Sequence, residues 1–154
     1  MPRKILVFAA AAAVSVGVVG VALGTPPFGA IPGIPVRGTI EGQFKVESEL
    51  VELKTKGSID VVQQAITLQP GGHSGWHAHA GPALVVVKSG TVTSYDADDP
   101  TCTPHVYTAG DAFVDYGAGH IARNESNVAA EVVFTILLPA GAALREDLDD
   151  PEFC

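Results

Sequence analysis

The chain has 154 residues, a length that favours one domain, and its composition is 47% hydrophobic and 17% charged, which excludes a largely disordered protein. Its 9 basic and 17 acidic residues give a formal net charge of −8. Because an acidic protein repels phosphate backbones, we expect no nucleic acid as a partner.

The first 24 residues have the pattern of an export signal. Arg3 and Lys4 give a positive start, and the run that follows, ILVFAAAAAVSVGVVGVALG, carries no charge. At a rise of about 1.5 Å per residue, a helix of this length would also span the hydrocarbon core of a bilayer. We predict that residues 1–24 are a signal peptide cleaved after Gly24 or, alternatively, an uncleaved membrane anchor. Both alternatives place the rest of the chain outside the cytosol, either secreted or held at the outer face of the cell membrane.

Residues 25–35, TPPFGAIPGIP, are rich in Pro and Gly and predict an extended, semi-stiff linker. In the remaining domain, residues 36–154, short runs rich in Val, Ile and Thr alternate with turn residues, which predicts an all-β antiparallel sandwich or barrel. ALVVVK predicts a strand buried on both faces, and the Ser89-Gly90 pair after it predicts a hairpin. The acidic tail, residues 144–152, is predicted to be irregular. The predicted strands are residues 44–47, 61–68, 83–88, 91–95, 105–108, 112–114 and 131–138.

Cys102 and Cys154 are the two cysteines. Outside the cytosol an even number of cysteines favours one disulfide, and closing a loop of this size would contribute about 4 kcal/mol in the chain-entropy model. Two free thiols are the alternative, which an exposed C-terminal cysteine in an oxidising compartment disfavours.

Three of the five histidines could share one centre. Because a strand places residues i and i+2 on one face, His77 and His79 can point the same way. His120 follows a glycine-rich turn at the start of another strand and is the best third candidate. Three imidazoles suit Zn, Fe, Cu or Ni. We interpret His73 as a solvated loop residue, with a fourth ligand as the alternative, and His105 as a surface residue.

The spacing around the first two histidines resembles a motif of the cupin superfamily. That motif reads G-x5-H-x-H-x3–4-E-x6-G, and the chain has Gly71, His77, His79 and Gly90 at the corresponding positions. Ala83 stands where the motif has Glu.

A second cupin motif, G-x5-P-x-G-x2-H-x3-N, is matched by Gly110, His120 and Asn124, with a spacing one residue short after the first glycine. Asp115 stands where this motif has Pro, and we interpret it as a turn residue, with an acceptor for a ligating imidazole as the alternative. Together the two motifs cover roughly residues 71–124.

The resemblance implies a jelly-roll-like barrel with a divalent transition metal (Fe, Zn, Cu, Ni or Mn) bound inside by His77, His79 and His120. More narrowly, the chain looks like small exported bacterial proteins with one cupin domain, an N-terminal signal and two cysteines. Because Ala83 has no donor atom, three neutral imidazoles would leave the charge of the ion uncompensated. This weakens the binding of hard ions such as Mn(II) and suits Zn, Cu or Fe.

Two functions are compatible with these residues. The first is a metal-dependent enzyme of the oxygenase, isomerase or hydrolase type that acts on a small molecule. The alternative is a non-enzymatic small-ligand-binding or sensor module that has lost the metal, as Ala83 would allow. A structural interaction domain would require a filled, apolar barrel interior. The resemblance also suggests a homodimer, and only the N-terminal segment is expected to contact a membrane.

Overall fold

The computed structural model describes residues 24–154. The signal or anchor predicted for residues 1–24 therefore lies outside the described residues, except for Gly24. Within the described residues all regular structure is β, as the all-β fold class predicts. No helix in residues 24–154 is long and apolar enough to cross a membrane. The strands are β1 (Phe28–Pro32), β2 (Val36–Ile40), β3 (Lys45–Glu47), β4 (Glu52–Lys54), β5 (Ile59–His73), β6 (His77–Ala78), β7 (Ala83–Ser89), β8 (Thr91–Asp96), β9 (His105–Thr108), β10 (Ala112–Asp115), β11 (His120–Arg123), β12 (Ala130–Pro139) and β13 (Glu146–Asp147).

Eleven strands form one antiparallel sheet that curls into a nearly closed barrel. Residues 59–68 of the long strand β5 pair with the whole of β12, and β5 also pairs with β1, β2 and β11. The main order is β10-β7-β12-β5-β11-β6-β13, and β8 joins β11 to β9. Strands β3 and β4 form a separate two-stranded hairpin. This arrangement places β6, β10 and β11, which carry the candidate site, next to the barrel interior.

Strand β7 alternates between the core and the outer surface. Ala83, Val85 and Val87 are buried, whereas Leu84 and Val86 are 55% and 47% exposed. The prediction that this strand is buried on both faces is therefore wrong. In the described part of the chain, the outer side of the barrel wall is uncovered at this strand. A run of apolar residues alone does not reveal this.

The hairpin predicted at Ser89-Gly90 is also wrong. Strand β7 pairs with β10 and β12, whereas β8 pairs with β9 and β11, so the chain crosses between two parts of the sheet. Gly90 makes this crossing at a φ of +74°, and a Cβ there would lie 2.7 Å from the Ala129 carbonyl oxygen. The turn residue was recognised, but the sequence does not say which strand each neighbour will join.

Two segments that were predicted to lie outside the sheet, an extended linker and an irregular tail, contain strands. Residues 28–32 of the predicted linker form β1 on β5, and β13 of the acidic tail pairs with β6. The Leu148 N–H donates to the Trp76 carbonyl, and the Leu148 carbonyl accepts from the Thr25 N–H. These segments are held by backbone hydrogen bonds, which leave no periodic signature in the side chains.

Cys102 and Cys154 are joined in a disulfide across 52 residues of sequence. Both cysteines pack against a core cluster of Trp76, Tyr95 and Ile121. The bond thereby fixes the C-terminus beside the strands that carry the candidate site, and chain entropy assigns it about 4 kcal/mol of stabilisation.

Candidate metal centre

Three histidines converge at one end of the barrel interior. His77 and His120 are direct cross-strand partners on β6 and β11, and His79 follows two residues after the first. The ligand nitrogens of all three lie within 4.8 Å of one another. The structure thus brings together the three residues that the sequence singles out.

Each of the three imidazoles is oriented by a backbone carbonyl. A carbonyl oxygen can only accept, so the Nδ1 atom that faces it must carry the ring proton. The Nε2 atom of each neutral ring is then left with a free lone pair, as a metal-ligating histidine requires. The three Nδ1-to-oxygen contacts are His77 to Gly75 at 2.8 Å, His79 to Leu144 at 2.6 Å and His120 to Ala118 at 2.9 Å.

Burial keeps two of these rings, His77 and His79, neutral. It lowers the pKa of His77 to about 2, and the positive charge of Arg145 adds to this effect. Burial also lowers the pKa of His79, against the opposing hydrogen bond to the Leu144 carbonyl. Neutral imidazoles are the form that binds a metal ion, so these two side chains need lose no proton to act as ligands at pH 7.

Asp115 belongs to the same cluster, which the interpretation as a turn residue did not foresee. Its carboxylate is 11% exposed, and Oδ2 lies 3.2 Å from Nε2 of His120 and 3.6 Å from Nε2 of His79. The other oxygen, Oδ1, does accept from the Gly117 N–H of the turn, at 2.8 Å. Asp115 is the cross-strand partner of Ala83, the position where the motif lacks its Glu.

A cavity of about 100 Å³ extends from the histidines into the barrel. Its walls are mainly apolar and include Leu68, Val92 and Phe134. Arg145 also lines it, where Nη1 donates to the Ser74 carbonyl at 3.0 Å. The interior is therefore not completely filled. A purely structural domain would require a filled interior.

A second, polar cleft reaches the cluster from the outside. It shares Asp115 and His120 with the interior cavity and is otherwise lined by side chains that include Asp96, Asp98 and Tyr116. The cleft gives solvent and cations a route to the histidines along acidic side chains.

The other two histidines lie outside the cluster. His105 is exposed, as predicted, with Nε2 at 3.5 Å from a carboxylate oxygen of Asp96. His73 ends strand β5 and is partly buried, and its Nδ1 accepts from the Gly75 N–H at 3.2 Å. Neither side chain belongs to the group of potential ligands.

Residues 65–136 match the family model described as "Cupin domain" (Cupin_2). No curated protein matches the chain. Among solved structures, an oxalate oxidase is 23% identical, with 49% of this chain and 41% of that chain aligned at a TM-score of 0.43. A predicted oxalate decarboxylase of Thermotoga maritima is 22% identical, with 55% of this chain and 84% of that chain aligned at a TM-score of 0.43. A polyketide cyclase of Streptomyces resistomycificus is 16% identical, with 59% of this chain and 64% of that chain aligned at a TM-score of 0.47.

The aligned part spans less than half of the oxalate oxidase chain. The reactions named for these structures are those of the aligned proteins alone. The family model, in contrast, covers the strands from β5 to β12 and includes all three clustered histidines. This part of the chain, residues 65–136, is a cupin domain.

Proposed function

We propose that the chain binds one divalent transition-metal ion through His77, His79 and His120 and acts with it on a small molecule. The observation that carries this proposal is the convergence of three Nε2 lone pairs, each ring being held by a carbonyl at Nδ1. Three close lone pairs repel one another unless a cation lies among them. A site built in this way is suited to a metal and has no other evident purpose in the barrel.

The donor set defines which ions fit and what they could do. Imidazole nitrogens suit Fe, Zn, Cu and Ni. Three histidines from neighbouring strands would leave coordination positions open towards the cavity, and an ion bound there could polarise a ligand oxygen or activate water. The protein would contribute the orientation of the rings and an interior that restricts water.

The cavity indicates the kind of molecule that could reach the ion. Its apolar walls favour a small ligand with a hydrophobic body, and about 100 Å³ limits the buried part to the size of a single ring or short chain. Arg145 lines the same cavity and would favour an anionic group on that ligand. An oxygenase, isomerase or hydrolase type of reaction fits these features.

A non-enzymatic ligand-binding module is the second candidate. It is favoured by the titratable side chains of the cavity, which beyond the three histidines are Asp115 and Arg145, since catalysis usually needs several placed acids or bases. Metal-dependent turnover of a small molecule would separate the two candidates, because a binding module would retain the ligand unchanged.

We also propose that the domain works outside the cytosol. The charged start and apolar run of residues 1–24 support export, and the Cys102–Cys154 disulfide is compatible with an oxidising compartment.

The metal content of the full-length chain, produced without a histidine tag, tests the proposed site. We expect about one ion per chain by plasma mass spectrometry, lost in His79→Ala and kept in His105→Ala, which removes a histidine outside the cluster. If the unaltered chain remains metal-free after reconstitution with Fe, Cu, Zn and Mn, or if His79→Ala binds as much metal, the proposal is wrong.

A further inference from the structure

The carboxylate that the first motif lacks is present on the neighbouring strand. Asp115 of β10 lies directly opposite Ala83 of β7 in the sheet register. We propose that Asp115 is the fourth protein ligand of the metal, so that β10 supplies the carboxylate in place of β7. This inference rests on the proposed metal site at the three histidines.

The distances between the side chains fit a shared coordination sphere. Two ligand atoms that each lie about 2.1 Å from one ion are about 3.0 Å apart at right angles and about 3.4 Å apart at a tetrahedral angle. Oδ2 of Asp115 is 3.2 Å from Nε2 of His120 and 3.6 Å from Nε2 of His79. The carboxylate oxygen therefore occupies a position next to two of the histidine ligands.

The hydrogen-bonding roles lead to the same conclusion. Nδ1 of His79 and Nδ1 of His120 both donate to carbonyls, so Nε2, the atom of each ring that faces Oδ2 of Asp115, is the nitrogen available to a metal. An ionised carboxylate oxygen is also only an acceptor. Acceptors this close repel one another unless a cation lies between them, and a metal ion would satisfy all of them together.

One turn fixes both the carboxylate and a histidine. Oδ1 of Asp115 accepts from the Gly117 N–H at 2.8 Å, which leaves Oδ2 directed towards the rings. The Gly117 carbonyl in turn accepts from the backbone N–H of His79 at 3.0 Å. This preorganisation means that binding an ion does not require the carboxylate to be recruited from solvent.

A fourth, anionic ligand changes the expected metal preference. With three imidazoles alone a divalent ion keeps its full charge, whereas a carboxylate cancels one unit of it. Carboxylate oxygen is also a donor that hard ions such as Mn(II) prefer. The weak binding of Mn(II) that Ala83 implies is therefore not expected of this chain.

Titration of Mn(II) and of Zn(II) into the metal-free full-length chain tests this inference by calorimetry. We expect Asp115→Asn and Asp115→Ala to weaken Mn(II) binding on the order of 10–100-fold and Zn(II) binding less, since even outer-shell residues carry effects of this size. Asp98→Asn is the matched control, because it removes one exposed charge of the same cleft and should bind both ions as the unaltered chain does.

Ala83→Glu in the Asp115→Ala background is the sharper test. Because the two positions are cross-strand partners, a carboxylate at residue 83 should restore at least about tenfold of the Mn(II) affinity lost. Circular dichroism of each variant verifies that the barrel is folded.

The results also separate this inference from the function on which it rests. Unchanged affinities in both Asp115 variants, with binding lost in His79→Ala, would show that three histidines bind the metal without Asp115. Affinity lost only in Asp115→Ala and kept in Asp115→Asn would assign the side chain a positioning role and overturn the inference. If His79→Ala also binds as the unaltered chain does, both proposals fall.

Discussion

Asn124 illustrates how a single buried side chain supports the region around the site. It is completely buried next to β11, and its amide nitrogen donates to the carbonyls of Leu68 and Val128 at 2.9 and 2.7 Å. Its amide oxygen accepts from the backbone N–H and the hydroxyl of Ser126. The side chain therefore satisfies the buried Leu68 carbonyl and backbone groups of the following turn.

We expect Asn124→Ala to lower the free energy of unfolding by roughly 2–4 kcal/mol, because it leaves buried carbonyls without a donor. Urea unfolding followed by tryptophan fluorescence measures the change, with Trp76 as the reporter. Asn127→Ala is the control at an exposed asparagine of the same turn, and it should change stability by no more than about 0.5 kcal/mol. Similar losses in the two variants would contradict the role assigned to Asn124.

The histidines and the aspartate differ in how far their roles could be predicted from sequence. His77, His79 and His120 stand out because strand periodicity and the spacing of two motifs converge on them. Asp115 has no such spacing relation to His79, since its position depends on the register between β7 and β10. Two signals were available: Ala83, which left a carboxylate missing from the motif, and the alternative role of Asp115 as an acceptor for an imidazole. Only the sheet register places these two residues opposite each other.

Among the connections between strands, the turn from β10 to β11 is tightly constrained and lies at the site. Gly117 has a φ of +85°, and a Cβ there would lie 2.8 Å from the His79 carbonyl oxygen and 2.9 Å from that of Gly81. Gly110, in the turn before β10, has a φ of +95° but would meet nothing within 4 Å. A substitution at Gly110 therefore tests the cost of backbone strain alone, whereas a substitution at Gly117 tests backbone strain together with a steric clash.

We expect Gly110→Ala to cost about 1–3 kcal/mol, the range for a strained backbone alone. Gly117→Ala should cost more, because its methyl group must also displace two backbone carbonyls, one of them on His79. Urea unfolding gives both values, and metal content per chain should fall for Gly117→Ala but not for Gly110→Ala. Equal stabilities and equal metal content would contradict a positioning role for the β10–β11 turn.

The prediction of whole strands succeeded where side chains carry the signal. Each of the seven predicted strands overlaps an observed one, because runs rich in Val, Ile and Thr fit the barrel wall. The predictions missed β1, β2, β4 and β13, and they were wrong about the partners of β7 and β8. Local sequence identified the elements, whereas the order of pairing depends on contacts distant in sequence.

At the scale of the whole molecule, the domain combines an acidic surface with neutral, buried histidines. Residues 25–154 contain 7 basic and 17 acidic residues, so partial protonation would relieve repulsion between surface charges. The buried imidazoles act in the opposite direction, because charging them requires taking a cation into the barrel. Carboxylates titrate little above pH 5, so the histidines should dominate between pH 5 and 6.5.

We therefore expect the metal-free chain to become more stable as pH rises from 5 to 6.5. The pKa of His77 is about 2 in the folded state and about 6.5 when unfolded, so the unfolded chain binds more protons across this window. Stability then rises with pH, by up to about 1.4 kcal/mol per unit for this residue, and levels off above about pH 7.

Urea unfolding in the presence of EDTA, at intervals from pH 5 to 8, measures this slope. His77→Gln should reduce it, because glutamine does not titrate, whereas His105→Gln should leave it unchanged, because that histidine is exposed. Burial lowers the pKa of His79 as well, so part of the slope should remain in His77→Gln. A stability independent of pH across this window, or the same slope in both variants, would mean that His77 is solvated or charged in the metal-free barrel.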